Sequence, residues 1–221
     1  MSIDRSNPRA MRTRAALIGA GRRLYRERPV DAVTVDDIVQ AAAVGKGSFY
    51  NHFADREALV RAISSEIRAS VETAVTLANE GVSDPARRMA RAVCGYLRFG
   101  LDQAESAGVL VRIHSGHTSL SAPLNKGLVE DIENGLAAGR FTVATVEAGL
   151  LFVMGVTQLA LVRVVQEPTP AFAVSLSQQM CALILRGLGL GGAEADLIAA
   201  QASDEIVRKG AAPAPPGETA H

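Results

Sequence analysis

Apolar residues recur with a helical period almost from the start of this chain. Between Arg14 and Arg26, Leu17, Ile18, Gly21, Leu24 and Tyr25 share one face, with arginines opposite, as in an amphipathic helix. Pro29 helps to stop it. Thr34 then heads Val-Asp-Asp-Ile, an N-cap with Asp37 at the third helical position, and a short second helix follows to about Ala42. After Ala43-Val44-Gly45, a very short third helix is predicted from Lys46 to Phe53, with Phe49 and Phe53 on one face. Asp55 caps a fourth, in which Leu59, Ile63, Ile67 and Val71 repeat every four residues to about Asn79. Beyond Gly81, breaks at Asp84-Pro85, Ser115-Gly116, Ser121-Ala122-Pro123, Gly139, Glu167 to Pro170 and Gly189 to Gly192 separate apolar segments of helical length. Helices are expected near 85–105, 107–115, 123–138, 142–166, 170–188 and 193–208, and nothing alternates with period two. The fold class is therefore all-α.

Composition agrees. Of 221 residues, 48% are hydrophobic and only 4% aromatic, with no Trp, a mixture that favours helices over strands. That length allows one large domain or two modest ones. The run Ala148 to Val165 is broken by Thr157, Gln158 and Arg163 and falls short of the roughly 20 residues of a membrane helix. It reads as a helix buried on all sides, with partners from the same chain or from a second subunit. Cys94 and Cys181 are too few for a disulfide framework, and the N-terminus lacks an apolar leader, so a cytoplasmic protein is expected.

Charge changes the picture only when counted by segment. The chain as a whole balances 23 Lys plus Arg against 23 Asp plus Glu. Residues 1–28 nevertheless carry eight Arg against Asp4 and Glu27, whereas residues 29–60 are net acidic. A basic N-terminal quarter is a hint of a nucleic-acid contact.

Three short helices, the second and third joined by a tight turn, make a helix-turn-helix, which lays its second helix in the DNA major groove. Within it, Lys46-Gly47-Ser48-Phe49-Tyr50, then His52-Phe53, then Arg56-Glu57-Ala58-Leu59 closely resembles the DNA-binding signature of TetR-type (TetR/AcrR) transcriptional regulators, over about residues 11–71. Phe49 and Phe53 should turn inward onto Ile38, Val44 and Leu59, leaving Lys46, Ser48, Tyr50, Asn51 and His52 outside. Tyr, His and Ser donate to phosphate oxygens, and Gly47 lets the backbone approach DNA. Lys46 can reach guanine acceptors and Asn51 can pair with adenine. The resemblance implies that Thr34, Tyr50, His52 and Arg56 grip phosphates while Lys46, Gly47, Ser48 and Asn51 lie nearest the bases. Arg12 and Arg14 would add contacts from the arm. Two departures stand out: Ala43 where the family usually has Gly in the turn, and Gly45 where it has Ser. Asp36 also stands where some members carry a basic contact; an anion disfavours a nearby phosphate, so it receives no DNA role.

The resemblance further implies an all-α architecture in which the remainder binds a small-molecule effector and dimerises. Expected boundaries are a flexible arm at 1–10, the DNA-binding domain at 11–71, a helical ligand-binding and dimerisation domain at 72–208 and a disordered tail at 209–221. A ligand-released repressor acting as a homodimer on double-stranded, pseudo-palindromic operator DNA follows. Tyr96, Phe99, Arg112, His117, Phe152 and Gln158 are the candidate pocket residues. His114-Ser-Gly-His117 lacks the ligands of a zinc site, so no metal is expected, and no cofactor. The alternatives are an architectural DNA binder without a sensor and a small helical enzyme; no catalytic arrangement can be placed to favour the latter.

Overall fold

A computed structural model describes residues 8–113, 120 and 125–210. The expected arm up to residue 7, the tail beyond Gly210, and both His114 and His117 lie outside the described residues. Among those described, the chain is helical with no strand, in the order α1 (Pro8–Glu27), α2 (Val35–Ala41), α3 (Lys46–His52), α4 (Arg56–Ala78), α5 (Pro85–Asp102), α6 (Ala104–Arg112), α7 (Lys126–Ala137), α8 (Val146–Gln166), α9 (Pro170–Gly187) and α10 (Gly192–Ala202). A single 3-10 turn, Val30–Ala32, links α1 to α2.

The chain forms two compact units, and their boundary falls inside α4, between Arg68 and Ala69. The first unit comprises the described residues within Met1–Arg68 and, from downstream, those within Glu105–Gly116, so it includes most of α6. Its core is Leu17, Ile18, Tyr25, Ile38, Phe49, Phe53, Leu59 and Ile63, and Ala107, Val109 and Leu110 of α6 are buried in the same unit. Gly21 lets α1 lie close against α4: a Cβ there would stand 2.8 Å from Ile63 Cδ1 and 3.1 Å from Leu59 Cδ2. Arg14 and Arg22 of α1 both reach Glu66 of α4, each at 3.1 Å. Arg26 pairs with Glu105.

The second unit packs α5 against α8, α9 and α10. Met89, Val93, Cys94 and Leu97 of α5 face Leu150, Leu161 and Val164 of α8 and Cys181, Ile184 and Leu185 of α9, all buried. Asp131 of α7 is drawn in with them, paired at 2.6 Å with Arg88 Nε. Arg140 bridges Asp84, the N-cap of α5, to Glu194 of α10, at 3.0 and 2.7 Å. The helix expected over 193–208 ends as an α-helix at Ala202 and continues as a π-helical segment, Ser203–Arg208. Within that segment Ser203 Oγ donates to the Val174 carbonyl at 2.9 Å and meets Ser177 Oγ at 2.9 Å.

Helix α8 corrects one sequence expectation. It spans 21 residues and is long and apolar enough, by length and composition, to cross a membrane, because its ends extend beyond the run counted in the sequence. Within the single chain, Val153, Leu161 and Val164 face the core, whereas Leu151 and Leu159 are exposed, which leaves one apolar side open to a second subunit.

Candidate nucleic-acid interface

Local sequence sets the helix-turn-helix. Thr34 caps α2 in a closed capping box: its hydroxyl accepts from Asp37 N at 3.1 Å, and Asp37 Oδ2 accepts from Thr34 N at 2.9 Å. The Thr34 backbone N–H and hydroxyl, aided by Arg28, hold the Asp37 carboxyl below its ordinary range. At the other end, Ala43 N donates to Gln40 O at 3.1 Å and Val44 N to Val39 O at 3.0 Å, the paired bonds of a Schellman motif. Such a motif needs a left-handed residue between them, and Ala43 supplies it with φ 53°. Gly45 then caps α3 without a side-chain bond.

On α3, Phe49 is fully buried and Phe53 nearly so, their rings 5.8 Å apart. That orientation leaves Lys46, Gly47, Tyr50 and Asn51 exposed and Ser48 and His52 half-exposed on the outer side. Tyr50 stands edge-on to Phe49 with 54% of its surface exposed. A Cβ at Gly47 would meet nothing within 4 Å, so the backbone there is open to a close partner.

The other expected contacts are placed differently. The Thr34 hydroxyl donates to Asp37 Oδ2 at 2.8 Å, which commits its proton inside the capping box. Arg56 turns inward: Nη1 donates to the carbonyls of Val30, Asp31 and Val33 at 3.2, 3.3 and 3.2 Å, and Nη2 lies 3.0 Å from Glu57. That arginine stitches the 3-10 turn to the start of α4. Lys46 Nζ is 2.8 Å from Asp36 Oδ1, a contact the sequence reading missed although the two residues flank one tight turn. Arg14 is held between Glu66 and the ring of Phe53, 5.5 Å from its centroid. Arg12 Nε bonds back to the Pro8 carbonyl at 3.3 Å. Much of the basic charge of α1 is thus already paired.

In the second unit, Tyr96 and Gln158 come together, the hydroxyl donating to Oε1 at 3.3 Å between α5 and α8. Phe99, one turn further along α5, is buried. Phe152 instead packs on α9, where a Cβ at Gly187 would lie 2.5 Å from its ring. Arg112 is exposed on α6, in the first unit. A separate cleft of about 370 Å³, lined by Asp84, Arg87, Arg91, Gln201 and Glu205 among others, carries paired charges that no pattern in the sequence brings out. Both cysteines are buried; Cys181 Sγ donates to the Ala90 carbonyl at 3.5 Å, and its hydrogen bond with Cys94, followed by burial, pushes the Cys94 thiol up. Among the described residues no group of three His, Cys, Asp or Glu could hold a metal ion.

Residues 17–63 match the family described as bacterial regulatory proteins, tetR family. Residues 84–201, more than half the chain, match the tetracyclin repressor-like C-terminal domain. The chain belongs to the TetR family. The match to "HTH-type transcriptional repressor DhaR" of Mycobacterium sp. (strain GP1) is 35% identical over 77 residues and spans 39% of that protein's length. The structure of RolR in complex with the ligand resorcinol is 28% identical and superposes with a TM-score of 0.62, over 87% of this chain and 95% of RolR. A putative TetR-family regulator from Shewanella sp. PV-4, 14% identical with a TM-score of 0.72 over 81% of this chain and 99% of its own, shares the fold alone.

Proposed function

We propose that this chain is a ligand-responsive transcriptional repressor that binds a pseudo-palindromic operator as a homodimer and is released by a small molecule. The observation that carries the reading is the outer face of α3: Lys46, Gly47, Ser48, Tyr50, Asn51 and His52 stand outward over a buried Phe49–Phe53 pair. Tyr50 and His52 donate to phosphates, while Lys46, Gly47, Ser48 and Asn51 approach the bases. Thr34 and Arg56 serve the interface by holding α2 and α4, rather than as its first contacts. A mobility-shift assay on DNA selected from a random pool tests this. Tyr50→Phe and His52→Ala should weaken binding to every sequence, and Asn51→Ala should relax preference at one position. Equal binding by all variants would remove the assignment.

Dimerisation is supported by the exposed Leu151 and Leu159 of α8 and Leu183 of α9, apolar side chains that the monomer leaves in water. The same reading puts the effector site at Tyr96, Gln158 and Phe99, and the Tyr96–Gln158 hydrogen bond, a polar couple in an apolar helix interface, supports it. RolR's resorcinol makes a small dihydroxybenzene the first compound to try. Resorcinol should raise the melting temperature of the wild type but not of Tyr96→Phe/Gln158→Leu. Binding would favour a state of the dimer unsuited to the operator, with α4, which runs through both units, as the connecting element.

A further inference from the structure

Asp36 and its neighbour Asp37 look alike in sequence but do different things. Asp37 is consumed by the capping box and by Arg28, at 3.3 Å. Asp36 turns outward, with 70% of its side chain exposed, and crosses the turn to α3. There its Oδ1 and Oδ2 stand 2.8 and 3.1 Å from Lys46 Nζ. Lys46 is itself 55% exposed, so the pair sits in solvent at the edge of the outer face of α3. An ion pair so exposed adds little to stability, which directs attention to what it does to the lysine.

We infer that Asp36 is a specificity-determining residue: its carboxylate fixes where the Lys46 ammonium points and keeps it from binding phosphates indiscriminately. The inference rests on the reading of α3 as the DNA-reading helix. An ammonium has three N–H donors. Two carboxylate oxygens occupy at most two of them, leaving at least one for an acceptor such as guanine N7 or O6. Without Asp36, the flexible four-carbon stem lets the ammonium swing to any phosphate within reach, and each such contact adds affinity that carries no sequence information. Asp36 therefore trades non-specific affinity for discrimination, acting through Lys46.

The test compares wild type, Asp36→Asn, Lys46→Ala and the double variant on two duplexes across a salt series. One duplex is enriched from a random pool by the wild-type protein, and the other is its scrambled sequence. Asp36→Asn should bind the scrambled duplex several-fold more tightly, with a salt slope steeper by about 0.9, the value of one added phosphate contact. Its ratio of enriched to scrambled affinity should fall, and that fall should vanish in the Lys46→Ala background. An unchanged ratio and slope would overturn the inference. So would an equal fall with and without Lys46, which would make Asp36 a bare repulsive charge. Should the wild type enrich no duplex, the DNA-reading role of α3 falls. Should enrichment succeed and Tyr50→Phe weaken both duplexes while Asp36→Asn changes nothing, the Asp36 inference alone falls.

Discussion

Ala43 adopts the left-handed conformation, φ 53°, and among the described residues no other non-glycine does so. The Schellman motif requires that conformation, and for an L-residue with a Cβ it costs about 1–2 kcal/mol. Ala43→Gly should therefore stabilise the chain by up to about 1 kcal/mol, the larger unfolded-state entropy of Gly offsetting part of the relief. In urea this reads as a higher midpoint at constant slope. Tyr25 holds a second local tension. Its side chain is fully buried and its hydroxyl has no hydrogen-bond partner. Burial pushes the phenol up to about 12 from an ordinary 10.0, against the opposing pull of Arg56. Because the folded value is the higher one, ionisation leaves stability untouched below pH 10 and erodes it as pH rises from there through about 12. Tyr25→Phe should abolish that alkaline loss and leave the chain as stable at neutral pH, or about 1 kcal/mol more so. Denaturation midpoints at pH 7 and pH 11 decide the matter.

At the scale of elements, Arg56 anchors the 3-10 turn through three carbonyls; Arg56→Ala leaves those of Asp31 and Val33 seeking donors, while that of Val30 keeps the Val33 N–H. A loss of roughly 2 kcal/mol in urea stability is expected, with weaker DNA binding that follows the loss of order rather than the loss of a phosphate contact. Lysine at this position should not restore stability, since one ammonium cannot reproduce the planar fork. Several helices were legible in the sequence because a capping or breaking signal precedes them: Thr34 caps α2 as expected, and the breaks read at Asp84-Pro85 and Glu167 to Pro170 fall at the starts of α5 and α9, where Asp84 and Thr169 serve as caps. The inward Phe49 and Phe53 were legible for the same reason, a spacing of four on a helix. Side-chain partners were not. Whether Arg56 faces DNA or a neighbouring carbonyl depends on the path of the 3-10 turn, which no periodicity encodes. Similarly, the π-helical turn after Ala202 involves Ser177, a residue far away in sequence.

For the molecule as a whole, a neutral total charge has a measurable consequence. Arg14 and Arg22 on Glu66 and Arg26 on Glu105 pair three of the six arginines of α1 with carboxylates, and Arg28 just beyond it pairs with Asp37. Operator affinity should therefore fall only gently with salt, with a slope well short of that of strongly basic binders. Subunit association should depend on the apolar side of α8, and Leu159→Glu should give a folded monomer by analytical ultracentrifugation, since Leu159 is 69% exposed in the single chain. Arg88→Ala should destabilise the second unit by roughly 3 kcal/mol, because it strands the buried Asp131. Burial already raises the Asp131 carboxyl despite Arg88, so the stability it contributes is present at acid pH and lost as pH rises through its folded value. The composition of the first unit bears on how the protein is made. Because the first unit takes in Glu105–Gly116 as well as Met1–Arg68, a ribosome that has delivered residues 1–78 has not yet delivered every segment of that unit. A fragment ending at Ala78 should melt without a cooperative transition, and one extended through α6 has every segment of that unit within a single polypeptide.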